Sequence, residues 1–130
     1  MTQQRDARPL IMIIDDDVAT VEMLELVLNA CGYLPLSGPT TYHALAFVRS
    51  KRPALVLLNV HMSNFNAIEL CRSMHADPRT AQIPIICMTS DAVLVEAFFL
   101  EDAPQTMALL SKPFTLPALQ HAIATRLAAP

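Results

Sequence analysis

The fold is decided by one stretch near the N-terminus, Leu10-Ile11-Met12-Ile13-Ile14-Asp15-Asp16-Asp17. Five apolar residues are followed without a spacer by three acids. A short, branched apolar run bounded by polar residues predicts a strand buried on both faces. Acids directly after such a strand predict a loop at the carboxyl edge of a parallel sheet, where binding and chemistry concentrate in α/β folds.

Outward from this stretch, short apolar runs alternate with helical patterns. The further predicted strands are Tyr33–Leu36, Ala54–Leu58, Ile83–Met88 and Met107–Leu110. The first predicted helix stops at Gly32, and the second is capped by Thr40 or Thr41 and runs to about Lys51. The third follows the loop His61–Asn66. The fourth covers Val93–Leu100, and the last is capped by Thr115. Strict alternation with short connections predicts the α/β class, with a parallel sheet covered by helices on both faces. Five β–α units favour the flavodoxin-like strand order 2-1-3-4-5.

Length and composition indicate one domain. The 130 residues, 53% of them hydrophobic, suffice for one buried core. We expect residues 1–8 to form a flexible N-terminal tail, residues 9–130 to form the domain, and no effector domain to follow within the chain. The net charge of −3 shows no basic surplus, which argues against nucleic acid as a partner. No signal peptide or membrane span is recognisable, so we expect a cytoplasmic protein without membrane contact.

The cysteines and histidines do not follow a metal-binding pattern. Cys31, Cys71 and Cys87 lie in apolar periodic segments without CxxC spacing, which predicts reduced thiols in the core. Three of the four histidines, His43, His75 and His121, fall on predicted helices, and His61 follows the third predicted strand. None is spaced from another His or Cys as in a structural zinc site.

Polar residues follow four of the five predicted strands. They are Asp15 to Asp17 after the first strand, Asn59 after the third, Thr89 and Ser90 after the fourth, and Lys112 after the fifth. Because the carboxyl ends of parallel strands share one edge of a sheet, we expect these side chains to converge.

With these residues in this order, the sequence resembles the receiver domain of two-component response regulators over essentially its whole length. The matching stretches are Ile13-Ile14-Asp15-Asp16-Asp17, Leu57-Leu58-Asn59-Val60, Ile85 to Thr89-Ser90, and Ser111-Lys112-Pro113-Phe114. In that family, a histidine kinase transfers a phosphoryl group to an aspartate at the end of the third strand, with Mg²⁺ neutralising the phosphoryl oxygens.

The resemblance implies a role for each of the polar residues at the predicted carboxyl edge of the sheet, the rim. Asp16 would ligate Mg²⁺ directly, Asp15 would act through a bound water, and the backbone carbonyl of His61 would be the third ligand. The Thr89 hydroxyl would bind the phosphoryl group, and Ser90 would leave room for it. Lys112 would pair with the acids and the phosphate, before a cis peptide bond to Pro113.

The departures from the family pattern decide the functional expectation. Asn59 stands at the phosphoacceptor position, and a carboxamide oxygen is too poor a nucleophile to form an acyl phosphate. Its neutrality also removes one charge from the metal site. At about 4 Å and an effective dielectric of 20, one unit-charge contact is on the order of 4 kcal/mol before desolvation, so we expect weak or absent Mg²⁺ binding. Ser63 and Ala67 replace the usual proline and glycine, and Leu109 replaces the switch aromatic.

Two features also have simpler interpretations. Acids at a helix N-terminus are favoured by the helix dipole, and we assign Asp17 to such a capping role. Dipole and capping do not explain why Lys112 and Thr89 share the rim. The apolar helix containing Phe98 and Phe99 must pack on the sheet, yet its apolar residues cover more than one face. The resemblance implies that this helix, the fifth strand and the last helix form a partner surface, including a homodimer contact.

Three functions compete at this point. The leading hypothesis is a phosphorylation-independent interaction module, not an enzyme, that binds a histidine kinase, another receiver or an effector protein. The second is a working phosphoreceiver that uses a substitute acceptor among Asp15 to Asp17, with worse alignment. The third is a flavodoxin-like cofactor-binding protein, against which stand the two glycines of the chain and the lack of a glycine-rich phosphate loop.

Overall fold

The molecule, a computed structural model, is a five-stranded parallel sheet with helices on both faces. The structure describes residues 7–91, 93 and 106–128. Its strands are β1 (Leu10–Ile14), β2 (Leu34–Ser37), β3 (Leu55–Asn59), β4 (Ile85–Thr89) and β5 (Met107–Ser111). Its described helices are α1 (Val18–Ala30), α2 (Ala44–Lys51), α3 (Ala67–Ala76) and α4 (Leu116–Ala128). All neighbouring strands are parallel in the order β2-β1-β3-β4-β5, which confirms the predicted topology.

The sheet divides the core into two layers. Successive residues of β1 point to opposite faces, so Ile11 and Ile13 pack with α1 and α4, whereas Met12 and Ile14 pack with α2 and α3. The same alternation runs through the central strand β3, all of whose residues are buried. This double burial explains why β1 and β3 are continuous apolar runs.

Three of the described helices begin at a capping side chain. Asp17 accepts a hydrogen bond from the Thr20 backbone N–H at the start of α1, and Asn66 accepts one from Glu69 at the start of α3. Thr115, as predicted, accepts one from Ala118 before α4. These contacts satisfy backbone donors that the first helical turn leaves free. Gly32 follows α1 with φ +87°, as its predicted stop position requires.

The prediction that Thr40 or Thr41 caps α2 is wrong. This helix begins only at Ala44, after His43, which has helical backbone angles and makes no capping side-chain bond. The Thr41 hydroxyl instead accepts from the His43 backbone N–H at 3.3 Å within the preceding turn. Thr41 therefore stabilises the turn rather than the helix.

β1 ends at Ile14 as predicted, but the predicted ends of the other four strands lie one residue too early at the carboxyl edge. Asn59 is the last residue of β3 and pairs in register with Met88, and Thr89 is the last residue of β4 and pairs with Ser111. Backbone pairing continues through these polar residues because neighbouring strands extend beside them. Asn59 and Thr89 are therefore held by the sheet itself and not by a loop.

One cysteine departs from its predicted place. Cys71 and Cys87 are buried with their Sγ atoms 4.0 Å apart, but Cys31 is only half-buried at the C-terminal end of α1. Its Sγ accepts a hydrogen bond from Gln120 of α4 at 2.8 Å. Within the described residues, no helix has the length and apolar character needed to cross a membrane.

A buried acid ties α2 to the end of α3. Asp77 is 8% exposed and forms ion pairs with Arg49 of α2 and with Arg79. The hydrogen bonds from Arg79 are the main reason that the pKa of Asp77 lies well below its ordinary value of 3.8. The carboxylate therefore favours the folded state at neutral pH.

Candidate functional site

The polar strand ends converge at the carboxyl edge of β1, β3, β4 and β5. Asp15 follows β1, Asn59 and Thr89 end β3 and β4, and Lys112 follows β5. Asp15, Asn59 and Thr89 are all buried, with residue exposures of 7%, 6% and 0%. Buried polar groups require partners, so their contacts define what this site can do.

The Asn59 amide links the residue after β1 to the loop after β3, with one hydrogen bond at each end. Its Nδ2 donates to Asp15 Oδ1 at 3.2 Å, and its Oδ1 accepts from the His61 backbone N–H at 3.0 Å. The amide orientation follows from these two partners, since a carboxylate must accept and an N–H must donate. A carboxylate at this position would place two like charges side by side.

The two carboxylate oxygens of Asp15 differ in their hydrogen bonds to the described residues. Its Oδ1 also accepts from the Asp17 backbone N–H at 3.0 Å, which shapes the turn into α1. Its Oδ2 is buried without a hydrogen-bond partner among the described residues. Lys112 lies beside this oxygen, with its Nζ 4.0 Å from Oδ2 and its side chain 29% exposed. The predicted pairing of Lys112 with this acid is therefore an ion pair at the edge of contact distance.

The Thr89 hydroxyl has two partners among the residues that the structure describes. It accepts from the Asp91 backbone N–H at 3.0 Å, and it lies 2.5 Å from Nε2 of His61. The Thr89 backbone carbonyl accepts from the Lys112 backbone N–H at 2.6 Å, so β4 and β5 stay joined at the rim. The sequence assigned His61 a role only through its backbone. Its spacing after β3 predicts a position at the rim, and nothing in the sequence shows where its imidazole points.

The other two acids face solvent. Asp16 is exposed, and Asp17 caps α1 through both a backbone and a side-chain bond from Thr20. The side-chain bond from Thr20 is the main reason that the pKa of Asp17 is lowered. Its predicted capping role is therefore confirmed.

The remaining predicted positions surround the rim. Ser90 and Lys112 line an open cleft of about 420 Å³, together with Pro113 and residues of α1. The Lys112–Pro113 peptide bond is cis, as expected. Leu109 is half-buried and packs against the core layer beneath α2 and α3.

The predicted interaction helix lies almost entirely outside the described residues. Phe98 and Phe99 are among the positions that the structure does not describe. Only Val93 of that segment is described, where it is helical and 80% exposed.

The oxygen atoms at the rim fit a hard divalent cation. Oδ2 of Asp15, a buried carboxylate oxygen to which no described residue donates, is the type of atom that such a cation would satisfy. Asp16, exposed beside it, supplies a second carboxylate. In the described part of the chain, no group of three His, Cys, Asp or Glu side chains could hold a metal ion. Asn59 also directs an N–H donor, not an oxygen, toward Asp15.

A parallel sheet of this order, with acid, threonine and lysine at one rim, is typical of the receiver class of signalling domains. The chain belongs to the response regulator receiver domain family, whose model matches residues 11–124. It is therefore a receiver domain of two-component signalling.

Known relatives agree with this assignment. The DNA-binding response regulator MtrA of Mycolicibacterium paratuberculosis is 37% identical over 90 residues, which are 68% of this chain but only 38% of MtrA. A chain from Chloroflexus aurantiacus assigned as a response regulator superposes with a TM-score of 0.84 at 26% identity, covering 94% of this chain and 99% of that one. The receiver domain of a Pseudomonas aeruginosa sensor histidine kinase, with a magnesium ion coordinated in its active-site cleft, has a TM-score of 0.82 at 20% identity, covering 95% of this chain and 100% of that one.

Proposed function

We propose that this receiver domain acts as a protein-interaction module that is independent of aspartyl phosphorylation. The observation that carries the proposal is the bonding of Asn59, whose amide is buried between Asp15 and the His61 backbone. The amide oxygen already accepts a hydrogen bond, and the amide nitrogen has no lone pair available for attack. A neutral amide in this position holds the rim together without serving as a phosphoacceptor.

In this proposal, Asn59 and Lys112 stabilise the buried acid that a metal would otherwise neutralise. The Asn59 amide donates to one oxygen of Asp15, and Lys112 lies 4.0 Å from the other. Mg²⁺ would be held by Asp15, Asp16 and the backbone carbonyl of His61. When bound, it would neutralise anionic oxygens at the rim. We propose that its affinity is low, because one negative charge is missing and Lys112 competes for Asp15.

The proposed partners are proteins: a histidine kinase, another receiver or an effector. The match to MtrA covers little more than a third of that protein, so DNA binding is a property of the relative. We propose that the segment containing Phe98 and Phe99, together with β5 and α4, forms the partner surface or a homodimer contact. The proposal places the module in the cytoplasm and gives it no enzymatic activity.

The proposal is tested by intact-mass measurement after incubation with Mg²⁺ and phosphoramidate. The wild type should gain no phosphoryl mass, whereas Asn59→Asp should gain one. Asn66→Asp is the matched control, because it adds the same charge at an exposed helix cap and should stay unmodified.

A phosphoryl mass on the wild type would overturn the proposal. Peptide mapping would then examine Asp15 to Asp17, the substitute acceptors of the competing phosphoreceiver hypothesis. If neither the wild type nor Asn59→Asp gained a phosphoryl mass, features other than Asn59 would also prevent phosphorylation at the rim.

A further inference from the structure

The imidazole of His61 occupies a bonding position at the Thr89 hydroxyl. His61 lies in the loop after β3 and Thr89 is the last residue of β4, and their contact joins His61 Nε2 to Thr89 Oγ1 at 2.5 Å. His61 is itself positioned by the hydrogen bond from its backbone N–H to Asn59 Oδ1. Asn59 thus fixes the backbone of the residue whose side chain holds Thr89.

The bonding capacity of Thr89 is largely used by this arrangement. A hydroxyl has one hydrogen to donate and two lone pairs to accept with. One lone pair accepts from the Asp91 N–H, and the contact with His61 uses either the hydrogen or the other lone pair, according to the imidazole tautomer. Thr89 is 0% exposed, so water does not provide a competing partner. An anionic ligand needs the hydroxyl hydrogen, so where Nε2 of His61 accepts that hydrogen, the ligand would have to displace the imidazole.

We propose that His61 is a positioning residue that holds the Thr89 hydroxyl in place of a phosphoryl group. The ligand class that it displaces is a tetrahedral oxyanion bound between Thr89 and Lys112. The inference rests on the proposed function, because a module that is not phosphorylated must position the end of β4 with its own side chains. The His61–Thr89 contact does so by holding the end of β4 to the loop after β3.

Hydrogen bonding and bulk are separable by substitution at His61. His61→Leu keeps the approximate size of the side chain but removes its polar atoms. His61→Gln keeps a polar end that can form a hydrogen bond to Thr89. His61 is exposed, so neither substitution removes core packing.

The first test uses the Asn59 protein itself and measures hydrogen exchange of the Asp91 amide, which donates to Thr89. With His61→Leu the Thr89 side chain gains rotational freedom, so exchange at Asp91 should accelerate about fivefold, as the loss of one net hydrogen bond predicts. His61→Gln should retain most of the protection. Equal exchange in all three proteins would overturn the inference.

The second test measures the rate of phosphoryl gain from phosphoramidate in the Asn59→Asp background. In this reaction a carboxylate oxygen forms a bond to phosphorus, the P–N bond breaks, and the nitrogen leaves with its electron pair and a proton as ammonia. Asn59→Asp/His61→Leu should react about fivefold faster than Asn59→Asp, because Thr89 is free to bind the incoming group. Asn59→Asp/His61→Gln should remain slow.

The two proposals fail in different ways. Equal rates in the three Asn59→Asp proteins would refute the role of His61 and leave the proposed function intact. A phosphoryl mass on the wild type would refute the proposed function, whatever the exchange rates show.

Discussion

Restoring the acid at position 59 should destabilise this domain unless a divalent cation is supplied. In the native structure Asn59 Nδ2 donates to Asp15 Oδ1 over 3.2 Å. Asn59→Asp replaces that donor by an anionic oxygen at about the same separation. The substitution therefore converts a hydrogen bond into a repulsive contact between two buried carboxylates.

The expected loss of stability follows from the distance between the atoms at positions 15 and 59. At 3.2 Å and an effective dielectric of about 20, two unit charges repel by on the order of 5 kcal/mol. At pH 7 one of the two carboxyl groups can remove the repulsion by taking up a proton. This costs about 4 kcal/mol, because the reference pKa of Asp, near 4, lies about three units below pH 7, and it sets the upper limit of the repulsive cost. Loss of the native hydrogen bond adds about 1 kcal/mol, and attraction by Lys112 offsets part of the total. We expect the free energy of unfolding to fall by about 3 kcal/mol.

Urea unfolding of Asn59→Asp in EDTA and in excess Mg²⁺ measures this cost. A cation held at about 100 times its Kd stabilises the folded state by about 2.7 kcal/mol, so Mg²⁺ should recover most of the loss. The wild type should respond much less to Mg²⁺. Asn66→Asp, at an exposed cap, should unfold like the wild type in both conditions.

An Asn59→Asp protein that unfolds within about 0.5 kcal/mol of the wild type in EDTA would refute this expected repulsion. That result would mean that the two carboxyl groups separate freely, which contradicts a rim held by the pairing of β1 with β3.

Three further predictions concern single positions. Lys112→Met should lower the free energy of unfolding by about 2 kcal/mol, because the buried Oδ2 of Asp15 loses the cation beside it, and Mg²⁺ should reverse part of this loss in urea unfolding. The lowered pKa of Asp77 means that its contribution is complete above about pH 4 and is lost as pH falls below it, so Asp77→Asn should unfold with a shallower pH dependence between about pH 2 and 5. Gly32→Ala should cost about 1 kcal/mol in thermal or urea unfolding, because φ +87° is strained for any residue with a Cβ although the space around it is open.

Each of these predictions has a contrary outcome. Unchanged stability of Lys112→Met would show that its ammonium does not stabilise Asp15. A parallel pH profile for wild type and Asp77→Asn would show that the arginine contacts do not persist in solution. A Gly32→Ala protein as stable as the wild type would show that the backbone after α1 relaxes without cost.

The fold could be predicted because it depends on patterns that are local in the sequence. The apolar runs of β1 and β3 are buried on both faces, and that requirement leaves a continuous hydrophobic signal in the chain. Strict alternation with helices then permits few topologies. Errors arose where a neighbouring strand decided the outcome, as at Asn59 and Thr89, which strand pairing includes in β3 and β4.

The sequence by itself determined which side chains reach the rim, because every parallel strand delivers its last residues to the same edge of the sheet. It thus identified Asn59, Thr89 and Lys112 together. Only the tertiary structure decided how they bond. The Asn59 amide bridges β1 and the loop after β3, and the His61 imidazole reaches Thr89 across 28 residues of sequence. Side-chain direction depends on strand register and on the surrounding packing, and neither leaves a periodic signal in the chain.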